Sequence, residues 1–128
     1  MFGLFSKAKG AYKIQKWAQE MGATQKGCQE IGMYLISGYS QCPQCRDIDE
    51  YTERFKWELE WSLGTYLYDL SDDWDRGEND YAWENIHDYQ LDSAANGVNM
   101  AYLVGGPRSK EKYTMTVKEY VESLKNKQ

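Results

Sequence analysis

Apolar residues recur at three- and four-residue steps through much of the chain. Leu4, Ala8, Ala11, Ile14, Ala18 and Met21 share one face, with Lys9, Lys13 and Lys16 opposite. This spacing predicts an amphipathic helix over 6–21, stopped at Gly22. A second helix is expected over 24–37, with Thr24 as N-cap and Cys28, Ile31 and Leu35 facing inward. Gly38 to Pro43 then reads as a connection.

The strongest helical pattern covers 46–71. Ile48, Tyr51, Phe55, Leu59, Leu63, Tyr66 and Leu70 make one stripe, and Trp57, Trp61, Gly64 and Tyr68 make a second, nearly opposite. A helix apolar on two sides belongs between other helices of a bundle. Trp57 and Trp61 read first as core, or else as an anchor for a partner. A further helix is expected over 79–96, with Asn79 or Asp80 as cap, Ala82, Trp83, Ile86, Gln90, Ala94 and Gly97 near one face, and Asn96-Gly97 as its end. Val98, Met100, Tyr102 and Val104 then alternate, as do Tyr113, Met115 and Val117. Around Gly105 to Ser109 these runs suggest a small β-hairpin over 98–117, or else a helix continuing to 104. Thr116-Val117-Lys118-Glu119 matches a capping box, so 117–126 should be a last helix. The fold expected is mainly α, one domain over 1–128, a bundle of about four to five helices.

Composition fits a folded domain. Aromatic residues make up 15% of 128 residues, too many for a disordered chain. No window approaches the run of about 18 apolar residues that spans a bilayer. Phe2 to Phe5 is too short for a secretory signal, and Lys7 and Lys9 follow it instead of preceding it. Three cysteines suit a reducing compartment better than a disulfide framework. A cytoplasmic location is expected.

Charge changes the picture most, because it is sorted into blocks. Residues 1–26 carry five lysines against Glu20, and 106–128 carry six basic groups against three acidic ones. Residues 27–105 carry sixteen acidic groups against Arg46, Arg54, Lys56 and Arg76. Such a middle repels phosphates and attracts basic surfaces, so direct nucleic-acid binding is not expected there.

Candidate chemistry is thin. Cys42-Pro43-Gln44-Cys45 is the one recognisable motif. It reads as ordinary thiols, as half of a zinc site completed by Cys28 and His87, or as a redox pair. The acidic turn Asp72-Asp73-Trp74-Asp75-Arg76-Gly77-Glu78 fails as a calcium loop, since Trp74 and Arg76 would fall at ligand positions. With one histidine and no nucleotide or nucleophile motif, neither an enzyme nor a cofactor is expected.

The expected function is binding. Asp72, Asp73, Trp74, Asp75, Glu78, Asp80, Tyr81, Glu84 and Asp88 are the candidate contact residues, continued by Tyr89 and Asp92. Tyr68 and Trp83 lie among them. Spaced carboxylates steer encounter with a basic partner, and rigid aromatics give contact area at low entropy cost. The expectation is a small inhibitor or immunity-type protein that blocks a basic protein, such as a nuclease or other nucleic-acid-binding protein, in part by mimicking nucleic acid. The alternative is a peripheral membrane or assembly protein. In it Phe2, Leu4, Phe5, Ile14 and Trp17, with Lys7, Lys9, Lys13 and Lys16, would lie on an anionic bilayer.

Overall fold

The computed structural model describes the backbone of residues 2–66, 76–105 and 110–126, and side chains from residue 7 onward within those ranges, Arg76 excepted. Its helices are α1 (Phe2–Met21), α2 (Gln25–Ser40), α3 (Ile48–Leu63), α4 (Arg76–Glu84), α5 (Asp88–Val104) and α6 (Val117–Asn126), with a 3-10 turn at Lys112–Thr114. Helix α1 packs chiefly on α2, and α3 chiefly on α5, while α2 also meets α5 and α1 also meets α3. Helices α4 and α6 add to the flanks of this group, on α1 and α3 respectively.

The period of 3.6 explains which residues turn inward. Ile14 and Ala18 of α1, Ile31 and Leu35 of α2, Tyr51, Phe55 and Leu59 of α3, and Leu91, Ala94 and Val98 of α5 meet in one buried cluster. Hydrogen bonds tie the same helices together. The Tyr51 hydroxyl donates to Asn99 Oδ1 at 2.7 Å, and Asn99 Nδ2 donates to the Gly38 carbonyl at 3.0 Å, linking α3, α5 and α2. Both polar groups are thereby satisfied in a half-buried position, where an unpaired one would cost stability.

Helix ends follow local chemistry. Thr24 caps α2 by accepting from the Gly27 N–H at 3.0 Å. At α6, Thr116 Oγ1 accepts from the Glu119 N–H at 3.1 Å, and Glu119 Oε1 accepts from the Thr116 N–H at 3.3 Å, a reciprocal capping box.

Four expectations are corrected. The described residues form six α-helices, more than the four to five expected. Helix α3 ends at Leu63 and does not run to 71, because Gly64 takes φ +74° and its N–H turns back to the Glu60 and Trp61 carbonyls. Only glycine enters that region without strain, so the second apolar stripe ends in a helix stop at Gly64. The single helix over 79–96 is instead two. Asn85 Nδ2 donates to the Tyr81 carbonyl at 2.9 Å and ends α4, and the Gln90 side chain accepts from the His87 N–H at 2.8 Å and opens α5. Asparagine competes for helix carbonyls in this way.

The β-hairpin over 98–117 is absent. Residues 98–104 continue α5, and no strand occurs among the described residues. The buried positions there are Leu91, Ala94, Ala95, Val98 and Ala101, a helical set. The alternation that suggests a strand comes from Met100 and Val104, both more than half exposed.

The second stripe of α3 does face a neighbour. Trp57 is 9% exposed, and its indole N–H donates to the Met115 carbonyl at 2.9 Å. Tyr113 and Tyr120 meet its ring edge-on at 5.5 and 5.4 Å. Trp61, 40% exposed, stacks on Trp57 and on Tyr66. Trp57 is therefore core to the C-terminal packing, and Trp61 is its outer layer.

Candidate functional site

The predicted contact residues divide into three groups. Asp72, Asp73, Trp74 and Asp75 lie outside the described residues, as does Tyr68. Glu78, Asp80, Tyr81 and Glu84 sit on α4, and Asp88 opens α5. Trp83, read with them, turns the other way: it is fully buried, with Trp17 edge-on at 5.2 Å. A helix with Trp83 inward presents Tyr81, two residues away, on its opposite side, and Glu84 is exposed as well.

The outward residues form a run along α4, around the break at Asn85–His87, and onto α5. Glu78, Glu84, Asp88 and Asp92 are exposed and Asp80 is half-exposed. None of Asp80, Glu84, Asp88 and Asp92 forms an ion pair among the described residues. Tyr81 and Tyr89 stand beside them, 68% and 70% exposed. Tyr89 stacks on the His87 imidazole with centroids 5.7 Å apart.

Helix α2 contributes two residues that the sequence pattern did not single out. The Tyr34 hydroxyl is raised above its ordinary pKa by burial, then by Asp88, Asp92 and Glu30. Glu30 and Tyr34 therefore belong to the same negative field as the start of α5. Their four-residue spacing off the Ile31 and Leu35 face was visible in the sequence. Their proximity to α5 was not.

Other charges are spent within the fold. Lys13 bonds Asp49 at 3.1 Å and Lys9 lies 3.9 Å from it, which holds the Asp49 carboxyl below the usual range. Glu58 on α3 is 5% exposed. Its Oε2 accepts from Lys112 Nζ at 2.7 Å and from the Tyr113 hydroxyl at 2.6 Å. A Cβ at Gly97 on α5 would meet the Glu58 carboxylate. Arg54 pairs with Glu50 at 3.1 Å and spreads its guanidinium over the Tyr102 and Tyr113 rings, 4.7 and 5.0 Å from their centroids. This network is committed to holding the 3-10 turn and α5 against α3.

The network gives a testable pH response. Burial raises the hydroxyl pKa of Tyr51, Tyr102 and Tyr113, and acceptance by Glu50 and Glu58 raises the last two further. These groups hold their protons more tightly folded than unfolded. The stability they supply is complete below the ordinary tyrosine value near 10 and is lost as pH rises above it. In an alkaline titration Tyr51, Tyr102 and Tyr113 should ionise together with the loss of helical circular dichroism. Ionisation of these three near pH 10, before any unfolding, would contradict the burial.

The metal reading receives no geometry. Cys42 and Cys45 are joined as a disulfide, and Cys28 is buried with its thiol directed to the Ala23 carbonyl. His87 is exposed at the α5 N-cap. Among the described residues no group of three histidine, cysteine or acidic side chains is placed to hold an ion. The expectation of unpaired thiols is corrected for Cys42 and Cys45, which the turn at Pro43-Gln44 brings together, and it holds for Cys28.

The apolar face of α1 is occupied from Ala11 to Ala18, while Ala8 is exposed and the side chains of Phe2, Leu4 and Phe5 lie outside the described residues. Ala11, Ile14 and Ala18 are buried in the core, and Trp17 packs against Trp83. No helix among the described residues is long and apolar enough to cross a membrane.

No protein-family model matches the chain, and no match is found among curated proteins or solved structures.

Proposed function

We propose that this chain is a stoichiometric binding protein that blocks a basic protein partner, using the acidic surface of α4 and the first turns of α5. The observation that carries this is the pairing state of Asp80, Glu84, Asp88 and Asp92. They lie beside two largely exposed tyrosines and make no ion pair among the described residues. Asp49 and Glu58, by contrast, are neutralised, Asp49 by Lys13 and Glu58 by Lys112. Unpaired carboxylates create a field that reaches several ångströms into solvent and speeds encounter with cations. Tyr81 and Tyr89 supply apolar area and a hydroxyl each once contact is made.

A partner that normally binds nucleic acid fits this chemistry, because it offers a basic groove spaced for phosphates. Inhibition is then occlusion of that groove, with no reaction catalysed. The alternative, membrane contact through α1, is not favoured, since the apolar face from Ala11 to Ala18 is in the core.

The test is capture from the native host followed by charge reversal. Asp80, Glu84, Asp88 and Asp92 are changed together to lysine, three at exposed positions and Asp80 at a half-exposed one. The partner held by the wild type should be lost, while circular dichroism stays the same. Retention of the same partner by the reversed variant would move the binding surface elsewhere.

A further inference from the structure

We propose that the groove between α1 and α2 is a binding site for an adenine nucleotide. Tyr12, Gln15, Lys16 and Gln19 of α1 line one wall, and Gln25, Cys28 and Gln29 of α2 line the other, with Ala23 from the turn between them. The groove holds about 560 Å³, within the range of roughly 300–1,000 Å³ common to small-molecule sites. None of its lining residues belongs to the acidic run of α4 and α5.

The helical period sets both walls. Positions 12, 15, 16 and 19 share one face of α1, turned away from the buried Ile14 and Ala18. Gln25 and Gln29 answer them one turn apart on α2, and the buried Ala23 and Cys28 form an apolar floor. A Cβ at Gly32 would meet the Gln15 side chain, so glycine there lets the Gln15 amide lie against α2. None of the four glutamine amides makes a hydrogen bond among the described residues. Lys16 makes no ion pair among them, whereas Lys9 and Lys13 turn to Asp49. A lone surface glutamine is ordinary. Four of them converge here with an unpaired ammonium and an open ring, and the fold uses none of these polar groups.

Three properties of the lining select the ligand. A primary amide offers a donor and an acceptor side by side. That pattern pairs with N6 and N7 of adenine, and not with the two acceptors on the same edge of guanine. Tyr12 is 68% exposed, so its ring gives a base a face to stack on. Lys16 follows Tyr12 by one turn, about 6 Å along the axis, which suits the step from a base to its phosphate. Its ammonium supplies the charge that a phosphate needs. The base therefore lies on Tyr12 with its edge toward Gln15, and the phosphate lies at Lys16. Gln19, Gln25 and Gln29 are left for the ribose hydroxyls and the phosphate oxygens. A neutral sugar would leave Lys16 unused, and an inorganic anion would leave the ring and the amides unused.

Calorimetric titration of the full chain with AMP tests this. AMP should bind one to one. GMP, adenosine and ribose 5-phosphate should each bind at least about tenfold more weakly, since each lacks one of the three recognised groups. Gln15→Leu should erase the preference for AMP over GMP, and Lys16→Gln the preference for AMP over adenosine. Tyr12→Ala should weaken AMP and GMP alike by about tenfold. Tyr12 and Lys16 are exposed, so their variants should keep the wild-type thermal transition even if Gln15→Leu does not. A short single-stranded oligoadenylate is titrated beside AMP. Tighter binding of the strand assigns the groove to a nucleotide at a strand's end, weaker binding assigns it to the free nucleotide, and either keeps the adenine site. Three results would each overturn the proposal: no binding of AMP up to about 10 mM, equal affinity for GMP, or wild-type affinity for AMP in both Tyr12→Ala and Lys16→Gln.

Discussion

Removal of residues 1–21 is expected to unfold the protein. Helix α1 places Ile14 and Ala18 fully inside the core and Ala11 nearly so, and its Trp17 covers Trp83. Its loss also uncovers the faces it protects, including Ile31 and Leu35 of α2. Losing one fully buried large aliphatic side chain costs about 2–5 kcal/mol. Stripping a helix face and its complement costs several times that. Domains of this size are stable by roughly 5–15 kcal/mol in total. The shortened chain should therefore lose its helical circular dichroism and its cooperative thermal transition. A truncated chain that keeps both would make α1 peripheral, and would restore the reading of it as a membrane-contacting helix.

Lys112→Met is expected to destabilise by about 3 kcal/mol, because it leaves the Glu58 carboxylate in the interior without its counter-charge. Glu58 is 5% exposed and the Lys112 ammonium lies 2.7 Å away, so little water is available to take over. Tyr113 alone remains as donor. Adding Glu58→Gln to that variant should recover part of the loss, since the charge is then removed from both sides. Urea denaturation of the two variants measures this directly. A change under about 0.5 kcal/mol for Lys112→Met would place the pair in solvent.

How the sequence foretold these features varied with the type of signal. The helix periods of α1, α2 and α3 were legible because their buried residues recur at three- and four-residue steps, whereas α6, with only Val117 buried, was legible from its capping box. Thr24 and the Thr116–Glu119 box were legible because capping is local. The inner face of α5 was misleading. Its buried positions include Ala94, Ala95 and Ala101, which signal weakly, whereas the exposed Met100, Leu103 and Val104 signal strongly. Exposed apolar residues thus imitated a strand. The break at Asn85 was overlooked because apolar spacing runs through it and only hydrogen bonds mark it.

The candidate surface was legible in part. Charge sorting picks out Glu78, Asp80, Glu84 and Asp88, and α4 and α5 present them outward. The helical pattern set Trp83 on the apolar face and Tyr81 among the contact residues, and Trp83 does turn inward and Tyr81 outward. The sequence could not join Glu30 and Tyr34 to Asp88 and Asp92, since that meeting depends on the packing of α2 on α5. The disulfide likewise depends on how the turn after α2 closes. Only the residue types of the motif were available in advance.

Electrostatic docking by α4 and α5 is the central proposal, and the association rate tests it most directly. Binding to the partner captured from the host is followed by stopped flow as salt rises from about 0.05 to 0.5 M, a range over which the Debye length shrinks severalfold. The wild-type association rate should fall steeply, dissociation should change little, and the Asp80, Glu84, Asp88 and Asp92 reversal should associate slowly at every salt concentration. An association rate indifferent to salt, together with full-speed binding by the reversed variant, would contradict the central claim and leave the acidic run as a solvated face.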